Sequence, residues 1–372
     1  MRLTARRFER IGSNFDWVYF GILVLICICG LVVLSSAGYN PDTGVSRPMQ
    51  KQAASMVLGL VAFFVGCLCS ANFWKRSSWG IYGSCLLLLI LIFFIGEVAG
   101  GAKRWLDLGF FRMQPSEFMK VGIILVLAQI LSSEEAPLTG RTLKTLLLPT
   151  IILLIPAAFT LVQPDLGTAL CQCLVGGTMI LIAGVRFKTL LGLFTTGIIA
   201  LIPAWSLLKD YQQKRILNFL TPELDPLASG YHAIQSKIAV GSGAIFGKGY
   251  LKGTQSQLRF LPEQTTDFLF SVLAEEWGFV GSLLVVSLYI ILIYRILQVA
   301  SRASDRFSAL VCLGVGSLFF WQCVVNIGMV TGALPVVGIT LPLLSYGGSS
   351  VLTLLFCAGL VAGIHSRRFL FS

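Results

Sequence analysis

Apolar residues run along this chain in long uninterrupted blocks, and nearly all charged residues fall between the blocks. Uncharged stretches cover residues 17–41, 52–74, 77–96, 145–164, 166–185, 189–208 and 277–294. A helix needs about 20 apolar residues to cross a bilayer core, so each stretch predicts one span. Residues 115–133 predict another that accepts Glu117 and Lys120 near its start. Residues 307–366 contain no Asp, Glu, Lys or Arg, room for two helices with a Gly/Pro-rich segment at 332–348 between them. The pattern predicts an all-α polytopic integral membrane protein of about ten transmembrane helices. It forms a single transmembrane domain over 1–372, with a large extracytoplasmic loop at 209–268 between helices seven and eight. No repeat of 20–50 residues, no inverted repeat of interrupted helices and no separate soluble domain is visible.

Composition agrees with lipid as the main solvent. Only 12% of residues are charged, about half the share of a soluble chain. The net charge of +11, from 28 Lys and Arg against 17 Asp and Glu, would suggest nucleic acid in a soluble protein; here it reports orientation, because short cytoplasmic loops retain cations. Alternate loops hold Arg2, Arg6, Arg7, Arg10, Lys75, Arg76, Arg141, Lys144, Arg186, Lys188, Arg295, Arg302, Arg306, Arg367 and Arg368. Short loops on the other side hold only Arg47, Lys51, Lys103, Arg104 and Arg112. Both termini are therefore expected in the cytoplasm and the long loop outside, with no nucleic-acid partner. The basic start and the apolar run after it could be taken for a signal peptide, but 17–37 is too long for a signal core and lacks an A-x-A site.

The ten cysteines all lie within apolar runs, and the only histidines are His232 and His365. Pairs spaced CxC without neighbouring ligands read as small buried hydrophobes, neither a disulfide framework nor a zinc site.

Charges that interrupt apolar helices are expensive and mark functional candidates. In GAKRWLDLGFFRMQPSEFMKV, residues 101–121, Pro115, Ser116 and Glu117 suit a helix start and Lys120 falls on the face of Glu117. An ion pair at the membrane edge and a snorkelling interfacial cap both fit. Lys103, Arg104 and Arg112 are candidate phosphate ligands, Arg being the better bidentate donor. In VQPDLGTAL, Asp165 alone separates two apolar helices, either as an N-cap or as an acid facing an external cavity. In the stretch 231–281, GSGAIFGKG resembles a phosphate loop, but Ser242 stands where its first glycine should be and Gly249 follows Lys248, so a P-loop is excluded. Further on, Asp267 precedes Phe268-Leu269-Phe270. It is either a helix cap or a partly desolvated carboxylate, a better proton acceptor. Glu275 and Glu276 follow on the same helix, and at least one must face a cavity or a partner. Finally, NIGMVTGALPVVGITLPLLSYGGSS, residues 326–350, places Pro335, Pro342, Ser345 and Tyr346 in an uncharged run. That predicts irregular backbone buried in protein or lining a wet cavity.

These motifs, with KRWLDLGFFRMQPSEFMKV, QPDLGTAL, GTQSQLRFLPEQTTDFLFSVLAEEWGFVG and the last segment in this order, resemble the SEDS family of shape, elongation, division and sporulation proteins over nearly the whole chain. Within it QSQLRFLPEQTTDFLFSVLAEE looks more like the elongation member RodA than the division member FtsW. The resemblance implies polymerisation of lipid II at the outer face of the bacterial cytoplasmic membrane, with undecaprenyl pyrophosphate as leaving group. It also implies a class B penicillin-binding protein and other elongation-complex membrane proteins as partners. The family's essential acid falls on Asp267, and the Glu and Lys of its QPSE motif fall on Glu117 and Lys120. Family members commonly carry a histidine two residues before the acid, where this chain has Thr265.

A lipid pyrophosphate leaves without protonation, so one base for the acceptor hydroxyl and cations for the phosphates suffice, whereas glycosidases need two carboxylates. Asp267 is expected to be the base. Arg104 and Lys120 are expected at the pyrophosphate, with a divalent cation, Mg or Mn, as a candidate cofactor. Glu117 would orient Lys120, while Asp165 and the 332–348 segment with Ser345 shape the cavity. The alternatives are a lipid II flippase, whose essential charges should lie at both membrane faces, and the division-specific FtsW paralogue. A pure recruiting scaffold would leave the polar residues within the helices without a purpose.

Overall fold

Short polar side chains set where the apolar helices begin. In the computed structural model, Asp16, Ser46, Ser70, Asp165 and Asp305 each accept a hydrogen bond from the backbone N–H three residues on, satisfying donors that no helical carbonyl can reach. The structure describes residues 15–39, 44–99, 102–107, 109, 112–133, 140–192, 229–258, 260, 261 and 263–367, with 195, 199, 213 and 217. The helices are α1 (Trp17–Ala37), α2 (Arg47–Leu68), α3 (Ala71–Ile95), α4 (Pro115–Ser133), α5 (Leu143–Val162), α6 (Leu166–Ile182), α7 (Ser229–Ser242), α8 (Thr254–Gln257), α9 (Leu269–Ser301), α10 (Arg306–Thr331) and α11 (Gly348–Arg367). Eight are long and apolar enough to span a bilayer, and α6 is a shorter apolar helix of 17 residues. The chain is an all-helical multi-pass membrane protein. The span expected at 189–208 lies mostly outside the described residues, as does the loop from 209 to 228 apart from 213 and 217.

Helix α4 shows why the bundle is layered. It is apolar around its circumference, and Met119 to Ala128 are all buried, as a helix enclosed by other helices requires. Helices α10 and α11 share this central position. Around them α1, α2, α3, α5 and α9 turn Leu25, Val61, Leu87, Leu154 and Ile290 outward, apolar surface suited to lipid. Helix α2 lies close along α11: a Cβ at Gly66 would sit 2.7 Å from the Phe356 carbonyl oxygen, and one at Gly363 2.6 Å from that of Cys67. Small residues let membrane helices approach this closely.

Two elements depart from the sequence pattern. Residues 97–113 form a three-stranded antiparallel sheet, β1 (Glu97–Ala99), β2 (Ala102–Asp107) and β3 (Arg112–Met113), in the order β1-β2-β3. And α9 begins at Leu269, ahead of the uncharged stretch 277–294, and takes in Glu275 and Glu276 because these acids have partners. It also breaks at Gly278 (φ 64°, ψ −161°), and the glycine-rich segment mends the break. Lys248 N–H donates to the Glu275 carbonyl at 3.0 Å and Gly249 N–H to that of Glu276 at 3.0 Å. Phe279 and Val280 N–H donate to the carbonyls of Ala244 and Ile245 at 2.9 and 3.1 Å. GSGAIFGKG is thus a structural splice, which supplies the hydrogen bonds that a ruptured membrane helix would otherwise lack.

Candidate active site

The expected site residues gather at one end of the bundle. Strand β2 carries Arg104 over the head of α6, where Arg104 Nη1 stands 3.9 Å from Asp165 Oδ1. Asp165 is 4% exposed and is the N-cap that one of its two expected readings gave it. Its Oδ1 caps α6 through Thr168 N–H at 3.2 Å, and its Oδ2 accepts from Gln114 Nε2 at 2.7 Å. Arg104 Nε is buried with no hydrogen-bond partner among the described residues. One turn into α4, Lys120 Nζ and Glu117 Oε1 form a 2.7 Å pair, the intramembrane ion pair that the i, i+3 spacing allowed. Glu117 Oε2 is buried without a hydrogen-bond partner among the described residues. Lys103 is exposed, and Arg112 pairs with Glu97 and Asp107 on the sheet surface.

Asp267 lies in the turn 263–268, where Thr266 and Phe268 N–H both donate to the Glu263 carbonyl. Phe268 occupies the N-cap position of α9 and makes no side-chain cap bond, so Asp267 stands one residue ahead of the cap. The turn is pinned from two sides. Tyr346 N–H donates to the Thr265 carbonyl at 2.9 Å, and Asn326 Nδ2 donates to the carbonyls of Asp267 and Ile339 at 2.9 and 2.6 Å. Gly338 adopts φ 78°, and a Cβ there would meet Asp267 Oδ2 at 3.3 Å. On its other side the same segment presses on the head of α6, where a Cβ at Gly167 would lie 2.6 Å from the Val337 carbonyl oxygen. The 337–339 backbone therefore stands between the Asp267 carboxylate and the helix that Asp165 caps.

Ser345 is 2% exposed, and its hydroxyl accepts from Leu341 N–H at 3.0 Å, closing a turn. Gln52 holds that turn from α2: its Nε2 donates to the Ser345 carbonyl at 2.9 Å and its Oε1 accepts from Gly347 N–H at 3.1 Å. Sequence reasoning overlooked Gln52 and Asn326, both fully buried; Asn326 was an amide within an uncharged apolar run, whereas Gln52, beside Gln50 and Lys51, carried no such signal. Glu275 accepts from Lys248 Nζ at 2.8 Å and from Gln255 N–H at 3.0 Å, so it holds α8 in place. Glu276 accepts from the Ser36 hydroxyl. His232, on α7, also escaped notice. It stacks on Phe268, the residue after Asp267, with ring centroids 6.2 Å apart and planes 16° apart. Burial pulls its pKa below the ordinary imidazole value, against the opposing field of Glu263. All ten cysteines are free thiols.

Comparison with known proteins agrees with this architecture. The FtsW/RodA/SpoVE cell cycle protein family matches residues 16–369. The chain belongs to this family. Among curated members it is similar to the peptidoglycan glycosyltransferase MrdB of Escherichia coli (strain K12), at 40% identity over 93% of this chain and 92% of that one. It is also similar to the peptidoglycan glycosyltransferase RodA of Treponema pallidum, at 33% identity over 96% and 98%. A chain from a peptidoglycan synthase complex, in a study of how polymerization and crosslinking are coordinated, superposes with TM-score 0.82 at 32% identity, covering 95% of this chain and 98% of that one. The rod shape determining protein RodA of Thermus thermophilus superposes with TM-score 0.70 at 29% identity and the same coverage.

Proposed function

We propose that the chain is the peptidoglycan glycosyltransferase that polymerises lipid II at the outer face of the bacterial cytoplasmic membrane during cell elongation. The observation that carries this reading is the placement of a carboxylate, Asp267, across one backbone segment from the buried Asp165, Glu117 and Lys120 and the half-buried Arg104. Asp267 takes the proton of the acceptor hydroxyl. The oxygen attacks the donor's anomeric carbon with inversion, the new C–O bond forms, and the bond to undecaprenyl pyrophosphate breaks with its electron pair leaving on the phosphate. Arg104 and Lys120 face the charge that builds there. In a water-poor site such preorganised cations act far more strongly than in water. Glu117 holds Lys120 in place, and Asp165 does the same positioning for Arg104.

Among the described residues no three His, Cys, Asp or Glu side chains stand together, and both carboxylates of the cluster already face a cation. This donor set does not fit a protein-held Mg or Mn ion, so no step is assigned to one. The flippase alternative is disfavoured by the opposite end of the bundle, where charges serve structure: Arg141 Nη2 donates to the Leu131 carbonyl at 2.9 Å, and Arg367 Nη2 to those of Cys67 and Leu68 at 2.8 and 2.6 Å.

Both termini lie in the cytoplasm in this reading, and a class B penicillin-binding protein cross-links the product, in line with the structural relative from a peptidoglycan synthase complex. The test is lipid II polymerisation by purified protein, alone and with that partner. Glycan strands are expected in at least the second case, and none in either case would overturn the proposal.

A further inference from the structure

A polar cavity opens at the same end of the bundle, on the α1 side of the Asp267 turn. Its volume is about 180 Å³, and it is lined by Ala37, Gly38, Tyr39, Ser256, Gln257 and Gln264. None of these residues is charged, unlike the cluster around Arg104 and Lys120. Gln264 Nε2 donates to the Ala37 carbonyl at 2.7 Å, while its Oε1 is buried with no hydrogen-bond partner among the described residues. Gln257 Nε2 stands 3.4 Å from both the carbonyl and the hydroxyl oxygen of Ser36, long contacts that a ligand group can replace. Behind them Glu276 Oε2 is likewise buried and without such a partner.

Gln264 and Asp267 belong to one turn. The first is tied to the end of α1 and the second lies beside Gly338. The turn therefore links the uncharged cavity to the Asp267 carboxylate, three residues along the same element. An anionic pyrophosphate would find no counter-charge in the neutral cavity. Two amides, a phenol and a hydroxyl instead match a ligand that both donates and accepts without net charge, as sugar hydroxyls and an acetamide do.

We infer that this cavity is a carbohydrate subsite that holds the N-acetylated sugar of the acceptor, and that Gln257, Gln264 and Tyr39 position its nucleophilic hydroxyl for Asp267. The inference rests on the transfer reaction proposed above and adds where the acceptor sits.

The test separates acceptor from donor. A short preformed glycan blocked at its reducing end, which can only accept, is varied at fixed lipid II lacking the GlcNAc 4-hydroxyl, which can only donate, and that lipid II is varied at fixed acceptor. The Q257L/Q264L variant is expected to raise the KM for the acceptor about tenfold, the worth of one or two hydrogen bonds, with kcat and the KM for lipid II within about twofold of wild type. Tyr39→Phe, which leaves the Gln264 bond to Ala37 in place, shifts the same constant less and covers the case in which the double variant does not fold. A kcat loss without a KM change, a shift confined to lipid II, or no change would overturn the subsite. Binding is read independently by saturation-transfer NMR of N,N′-diacetylchitobiose on detergent-solubilised Asp267→Asn protein: signal is expected there and is lost on adding Gln257→Leu and Gln264→Leu. If Asp267→Asn polymerises normally while the sugar signal depends on the glutamines, the base assignment fails and the subsite stands. If Asp267→Asn is inactive and the glutamines affect neither constant nor signal, the subsite alone fails.

Discussion

Lys120 holds a charge at 2% exposure on a helix that is buried on every side. An unpaired charge at such a place is expensive, and its partner is the Glu117 carboxylate at 2.7 Å. Removing one partner of a buried pair costs about 3–5 kcal/mol. Glu117→Gln should therefore lower the thermal stability of the detergent-solubilised protein as well as its polymerase rate. Arg104, 29% exposed along its side chain, gives the contrasting case: Arg104→Ala should leave the melting midpoint nearly unchanged and reduce turnover. Equal stability losses in the two variants would contradict the assignment. His232 adds a pH dependence. Burial places its folded pKa below its unfolded value, near 6.5 for an ordinary imidazole. The unfolded state then takes up the proton first as pH falls. Stability is full above about pH 6.5 and declines below it. Thermal inactivation measured from pH 5 to 8 should show this acid-side decline in wild type and a flatter profile in His232→Gln.

At the scale of elements, the break in α9 makes the sharpest demand on sequence. Gly278 sits at φ 64° and ψ −161°, a region that is essentially glycine-only and costs other residues about 1–3 kcal/mol. The Gly243–Gly249 segment must also pass close enough to hydrogen-bond the exposed carbonyls. Gly278→Val should therefore lower the yield of folded protein in fluorescence size-exclusion, with no rescue by substrate, whereas Gly80→Ala on α3, with nothing within 4 Å of the added Cβ, should have no effect. The helices themselves were readable from hydrophobic runs, because a membrane span is a composition before it is a fold. The splice was not. GSGAIFGKG shows only that its backbone must come close to something, and the rupture it serves lies thirty residues later. The sheet at 97–113 was equally hidden, since its strands are short and carry no alternating pattern. Glu275 and Glu276 announced a need for partners but not that Lys248 and Ser36 would meet it.

For the whole molecule, the cation asymmetry of the loops and the placement of the polar cluster point the same way. The expected site residues Arg104, Glu117, Lys120, Asp165 and Asp267 fall at one end of the bundle, while at the other end Arg141 and Arg367 cap helix carbonyls and Arg295 pairs with Asp16. Each of these five residues was visible in the sequence as an unexpected charge, and the 326–350 segment as glycine and proline in an uncharged run. That 337–339 runs between Asp267 and the head of α6 was not, because it depends on packing between helices far apart in the chain. A reporter fused at Ser372 should be active only in its cytoplasmic form, and activity of the exported form would reverse the bundle and place the cluster on the wrong face. The central claim is that Asp267 is the base of a lipid II polymerase. It is tested most directly by polymerisation of purified lipid II by Asp267→Asn protein at wild-type abundance and partner binding. The account predicts a loss of about 10²–10⁴ in rate; turnover at the wild-type rate would contradict it.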